Sequence, residues 1–214
     1  MRALPRLLRV LMAVLVLTPP LAACADAQDL SRAGFVNAVE NEAEIVSGTG
    51  SVKAVIGAAV NMKDELRTGP KARLQVTFRD NTVLTLGENA RVVVDSYVYD
   101  PDKSTGEALL QATQGAFRFV TGRLKELKEK KIAVSTPVAD IGVRGTEFWG
   151  GPIEGQYGVL LLEGVVTVSN QAGSVTLSAR GQGTDIPSPL DSPGAVKPWG
   201  ADKIARAVAS VALH

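Results

Sequence analysis

Three groups of side chains in this 214-residue sequence carry chemistry worth following. The first is Arg144, set between Gly142 and Gly145 and followed by Thr146, Glu147 and Phe148. A guanidinium is always charged and offers a rigid fork of donors, so an arginine flanked by permissive backbone can grip an anionic group. The same arginine can instead tie strands together through Glu147, Asp140 or backbone carbonyls. The second group is aromatic. Trp149 and nearby Tyr157 can form a surface for a sugar or an apolar ligand, or they can fill a core. The third is Cys24, directly after Leu21-Ala22-Ala23, where a lipid can be attached.

What is missing narrows the chemistry further. Cys24 is the only cysteine and His214, the last residue, the only histidine. A Cys/His zinc site, a disulfide, and Ser-His-Asp or Cys-His nucleophiles are therefore not expected. Asp95, Asp100 and Asp102 lack the alternating acidic loop of a calcium site, and turn chemistry accounts for them. No metal and no cofactor is expected. Carboxylates remain as acid–base groups, but no spacing designates an Asp/Glu pair for glycan cleavage, so the chain reads as a non-enzyme.

The first 23 residues read as an export signal: Arg2, Arg6 and Arg9 precede a short apolar run from Val10 to Leu17, then Pro19-Pro20 and small residues. Two cleavage sites compete. Leu21-Ala22-Ala23-Cys24 would leave an acylated Cys24, and the following Ala25 would direct the product to the outer membrane. Ala25-Asp26-Ala27 would leave a soluble chain starting at Gln28. Either way the expected location is periplasmic, free or lipid-anchored, in a Gram-negative envelope. No later apolar run is long enough to cross a bilayer. Removing the three signal arginines leaves 20 basic residues against 22 acidic, a net of about −2, which does not suit a nucleic-acid partner.

With 45% hydrophobic residues and 21 glycines the chain can bury a core. The elements that must position the chemistry are strands. Short ones are expected at 34–38, 44–46 and 52–55. Leu74, Val76 and Phe78 then alternate cleanly with Arg73, Gln75 and Thr77, and a turn at Arg79-Asp80-Asn81 returns the chain through Thr82 to Leu86 as a hairpin. Arg91 to Tyr99 is a β-branched strand, with Val92, Val94, Ser96 and Val98 on one face. Ala108 to Thr113 and Ala116 to Val120 follow. The charged run from Arg123 to Lys131 reads as one or two helical turns on a solvated excursion, or else as a basic patch for phosphate or lipid headgroups. Lys131 to Ser135 re-enters the sheet, and after the arginine motif come short strands at 157–162, 164–168 and 175–179.

This spacing predicts an all-β sandwich, barrel or solenoid of many short strands occupying residues 28–186. Residues 187–198 form a proline-rich linker. Residues 199–214 hold a short amphipathic helix with Asp202 as N-cap and Ile204, Val208 and Val211 on its apolar side, to pack on the β domain or in a partner groove.

The arginine motif has one internal oddity. Ile141 and Val143 share a strand parity, whereas Thr146 and Phe148 fall on the other. A bulge at Arg144-Gly145 absorbs one residue and returns all four to one face, with Arg144 and Glu147 outside it.

The string from Ile141 to Phe148, preceded by Thr136-Pro137, resembles the signature of the FecR domain family. The resemblance also covers Asp64 to Phe78 and Asp80 to Gly87, with Asp80-Asn81 where the family's turn usually has Asp-Gly. It extends from about Val36 to about Ile186. It implies a twisted, solenoid-like β fold and a periplasmic binding module in sensing or signalling, whose partner is a ligand or an envelope protein. The family's founders sense iron-siderophore uptake and signal to a sigma factor. This chain shows neither an anti-sigma segment before a membrane helix nor a receptor-docking extension, so the iron role is not carried over. A structural envelope lipoprotein or scaffold is the alternative.

Overall fold

Alternating burial makes strands of most of residues 31–214, the span that the computed structural model describes. The signal segment and Cys24 lie outside the described residues. Strands β1 (Arg32–Glu40), β2 (Ala43–Ser47), β3 (Gly50–Lys53), β4 (Ala59–Asn61) and β5 (Glu65–Thr68) lead into the hairpin of β6 (Arg73–Phe78) and β7 (Val83–Leu86). Next come β8 (Arg91–Asp100), β9 (Thr105–Gln114) and β10 (Phe117–Val120), then a single 3-10 turn, Arg123–Glu126. β11 (Glu129–Ser135), β12 (Asp140–Ile153), β13 (Gln156–Asn170), β14 (Gly173–Leu177), β15 (Gln182–Ile186) and the two-residue β16 (Lys197–Pro198) complete the sheet, and α1 (Ala201–Ala209) follows.

All these strands belong to one curled sheet whose main path runs β3-β2-β5-β8-β9-β11-β12-β10-β7-β6-β1-β4. The hairpin of β12 and β13 is its spine. The first residues of β12, Asp140–Gly142, pair with β11, whereas Glu147–Gly150 pair with β10 on the same side. On its other side β12 is bordered by β13 over almost its whole length. One long strand thus passes from one arm of the sheet to the other, and the arms separate where it bends.

The bend is the anticipated bulge. Arg144 faces Val165 and Glu147 faces Glu163, so two residues of β12 stand against one of β13. An opposite irregularity on β13 at Leu162 restores the register by Phe148–Leu161. Gly145 has φ +60 and Gly164, across from it, φ +84. A Cβ on Gly164 would lie 2.4 Å from the Gly145 carbonyl oxygen, so the two strands touch through backbone here. Ile141, Val143, Thr146 and Phe148 are all buried, as the parity argument requires.

Other expectations are corrected. The segments at 157–162 and 164–168 are one 15-residue strand, because Gly164 sits in a bulge rather than a turn. A second bulge at Asp95 shifts the register of β8, so Tyr97 is buried and Val98 is 44% exposed, the reverse of strict alternation. The charged run contains only the 3-10 turn, and strand begins at Glu129. Leu124 and Leu127 turn inward against Gly106, so the run is half anchored in the core.

The helix α1 packs back on the sheet. Trp199, Ala207 and Val211 bury against Trp149, Leu160 and Ala116, with Ile204 alongside and Val208 outside. Ala207 replaces Val208 on the inner face because the helix end approaches the sheet closely: a Cβ on Gly87 would stand 2.6 Å from the Ser210 carbonyl oxygen. Gly200, not Asp202, is the N-cap. Arg73 donates to the carbonyls of Ala212 and Ala209, satisfying groups left open at the helix end.

Candidate functional site

Where the two arms separate, a groove opens between β11 and β12. Past Ala133 and Gly142 these strands no longer pair; β11 continues beside β9, its parallel neighbour, while β12 leaves toward β10. From Val143 to Gly145 the β12 backbone therefore has a strand neighbour on the β13 side only. The cavity is about 760 Å³ and open to solvent, with Ile132 and Val143 in its floor. Its walls bring together Lys125, Lys128, Lys130, Lys131 and Arg144, and no carboxylate lines it.

Each wall has a local cause. Lys125 is carried by the 3-10 turn, which is pinned by the buried Asp80. The Asp80 carboxyl accepts hydrogen bonds from the Leu124 amide (2.9 Å), the Thr82 amide (3.0 Å), the Thr82 hydroxyl (2.7 Å) and the Tyr97 hydroxyl. Burial, and next the adjacent Asp80, push the Tyr97 hydroxyl far above its ordinary pKa. The stem of Lys125 then lies over the bulge, 3.5 Å from where a Gly145 Cβ would be. Lys130 donates to the Leu127 carbonyl at 2.7 Å, while Lys125, Lys128, Lys131 and Arg144 have no carboxylate partner among the described residues.

The carboxylates anticipated as partners of Arg144 are engaged elsewhere. Glu147 accepts two hydrogen bonds from Arg118 of β10, at 2.9 and 2.7 Å, and Asp140 accepts one from the Ser135 hydroxyl at 2.7 Å. Arg144 is left exposed at the groove. The remaining motif residues are placed as follows. Thr136 closes the turn between β11 and β12, its hydroxyl donating to the Ala139 carbonyl at 2.7 Å and accepting from the Ala139 amide at 3.1 Å, with Pro137 beside it. Gly142 lines the groove, and Thr146 is buried, its amide donating to the Thr121 hydroxyl at 3.2 Å. Phe148 packs edge-on against Phe117, their centroids 5.7 Å apart.

The open aromatic surface expected from Trp149 and Tyr157 does not form. Trp149 is 1% exposed, lies edge-on to Trp199 and donates to the Ser210 hydroxyl at 3.0 Å. Tyr157 is half-buried, and burial raises its hydroxyl pKa well above the ordinary value. Trp149 is covered by the C-terminal segment, through Trp199, Ala207 and Val211. Sequence reasoning weighed Arg144 and the basic run separately and missed that the fold joins them. It also missed Asp80 as the pin, although Asp80-Asn81-Thr82 is a legible side-chain turn.

The family described as FecR protein matches residues 64–167, from just before β5 into β13, a narrower span than 36–186. No curated protein matches the chain. Two crystal structures of a "putative anti-sigma factor" from Parabacteroides distasonis are similar, each with a TM-score of 0.53 at 20% identity, covering 66% of this chain. The match takes in 62% of that protein's length, and at this identity it speaks for the fold alone. The paired motifs, the bulged spine and the matched span agree: residues 64–167 form a domain of the FecR family.

Proposed function

We propose that this chain is a non-catalytic sensing or signalling module of the bacterial envelope, periplasmic and either free or anchored through Cys24. It engages a ligand or an envelope protein through the groove beside the β12 bulge. One observation carries this reading: the family's signature strand bends so that Arg144 and four lysines line one cleft without a carboxylate. Like charges gathered on one wall repel one another, an arrangement better suited to an external anion than to stability. The remaining acidic and aromatic residues of the motif hold strands together, which supports a role without catalysis.

The test is genetic. A chromosomal Lys131→Ala/Arg144→Ala variant, present at wild-type level, should reproduce the transcriptional profile of a deletion. A deletion that alters no transcripts would refute the signalling role, and a silent double variant beside an active deletion would refute the groove as its surface.

The scaffold reading has its own observation. β3 is an edge strand, and Val52, Val55 and Ile56 on and beside it are 61%, 52% and 71% exposed. Such an edge can accept a strand from another chain. Lys substitution at Val52 and Ile56 that releases a co-purifying envelope protein, with the groove intact, would favour it.

A further inference from the structure

The groove is specific enough in shape and charge to name a ligand class. We infer that it binds a phosphate-bearing group carried on a larger body, as in a phosphorylated sugar or a lipid headgroup. This rests on the reading of the groove as the engagement surface, and deepens it.

Three features converge. First, the cations differ in kind: one guanidinium fork suits bidentate contact with phosphate oxygens, and the ammoniums around it act as point charges. A single carboxylate would leave most of that charge unused; a phosphate dianion or a pair of phosphates would not. Second, the negative side chains nearest in sequence turn away. Glu126 stands by Arg123 at 4.0 Å, and Glu129 lines a neighbouring groove with Glu107; Lys130 and Lys131 border both grooves, leaving Lys125, Lys128 and Arg144 to the phosphate groove alone. Third, the floor is not polar. Ile132 and Val143 underlie the groove, and β12 from Val143 to Gly145 presents an edge with no strand beside it. At about 760 Å³ the space exceeds what one phosphate needs and falls within the usual range for small-ligand sites. Apolar floor and open edge leave room for the body that bears the phosphate.

The geometry also explains why the bulge is needed. Gly145 at φ +60 supplies the backbone turn of β12 at the groove, and the stem of Lys125 lies over it.

The experiment uses the purified full chain at low ionic strength, with two arms. In the first, inorganic pyrophosphate is titrated calorimetrically. In the second, sedimentation is measured with phosphatidylcholine vesicles containing phosphatidic acid, against phosphatidylcholine alone. Binding in the first arm supports a soluble phosphorylated ligand, and binding only in the second supports a headgroup. In either case Lys128→Ala/Lys131→Ala/Arg144→Ala should weaken it by about tenfold or more, and raised salt should weaken it as well. All three side chains lack a carboxylate partner, so the variant should melt close to wild type. Arg144→Lys keeps the charge and should lose only part of the affinity. No binding in either arm overturns the inference, as does citrate binding as tightly as pyrophosphate. Binding of poly-glutamate in place of pyrophosphate also overturns it, and points to an acidic protein partner. A groove variant that still mimics deletion in the transcriptional test would then leave the signalling role standing without the phosphate.

Discussion

Replacing Gly145 isolates the contribution of the bulge. Its backbone sits at φ +60, and a Cβ there would meet Lys125 Cβ at 3.5 Å and Cδ at 3.9 Å, ordinary contact distances. The penalty for Gly145→Ala is therefore conformational rather than steric, about 1–2 kcal/mol for an L-residue held in the left-handed region. At roughly 2–4 °C per kcal/mol for a chain of this size, the melting temperature should fall by about 2–8 °C. Gly145→Val should fall further, because a β-branched side chain tolerates positive φ least. Gly164→Ala provides the contrast. It has φ +84, and its Cβ would stand 2.4 Å from the Gly145 carbonyl and 2.8 Å from the Thr146 methyl, so overlap is added to strain. Scanning calorimetry of the purified variants reads all three. If Gly145→Val melts with wild type, or Gly164→Ala costs no more than Gly145→Ala, the bulge is not the strained junction described.

Asp80→Asn should cost about 2–3 kcal/mol by urea unfolding, because both carboxyl oxygens accept hydrogen bonds and the amide nitrogen cannot replace one of them. Gly183→Ala should drive Trp199 from its slot, since the new Cβ would lie 2.3 Å from the indole ring. The expected cost is about 1–3 kcal/mol, with a change in the near-ultraviolet tryptophan bands. Stability should also decline at alkaline pH. Tyr97 has a folded pKa raised above its unfolded value of 10.0, so its contribution is complete below pH 10 and is lost as pH rises beyond it, by about 1.4 kcal/mol per unit. Tyr97→Phe should flatten this slope by one proton; an unchanged slope would contradict the buried, neutral phenol.

What could be read in advance depended on whether a backbone irregularity carried a glycine. The bulge at Gly145 was legible because Ile141 and Val143 clashed in parity with Thr146 and Phe148 and a glycine stood between the pairs. The bulge at Asp95 has no such mark, and strict alternation misassigned Tyr97 and Val98. Gly164 gave the opposite error, since a glycine inside a strand reads as a break unless its partner strand is known. The hairpin of β6 and β7 was clear because local pattern alone determines it. The groove was not, because it exists only where β11 and β12 part, and nothing local to Arg123–Lys131 indicates that Arg144 will lie across from it. Trp149 was ambiguous for a similar reason: the ring it packs against, Trp199, arrives fifty residues later with the terminal helix.

The most direct test of the groove is a two-dimensional ¹⁵N–¹H titration of the full chain with inorganic pyrophosphate. Saturable shifts confined to the amides of residues 125–132 and 142–145, and absent in Arg144→Ala/Lys131→Ala, are the predicted result. Shifts that are absent, or scattered over unrelated surface lysines such as Lys63 and Lys103, would contradict it.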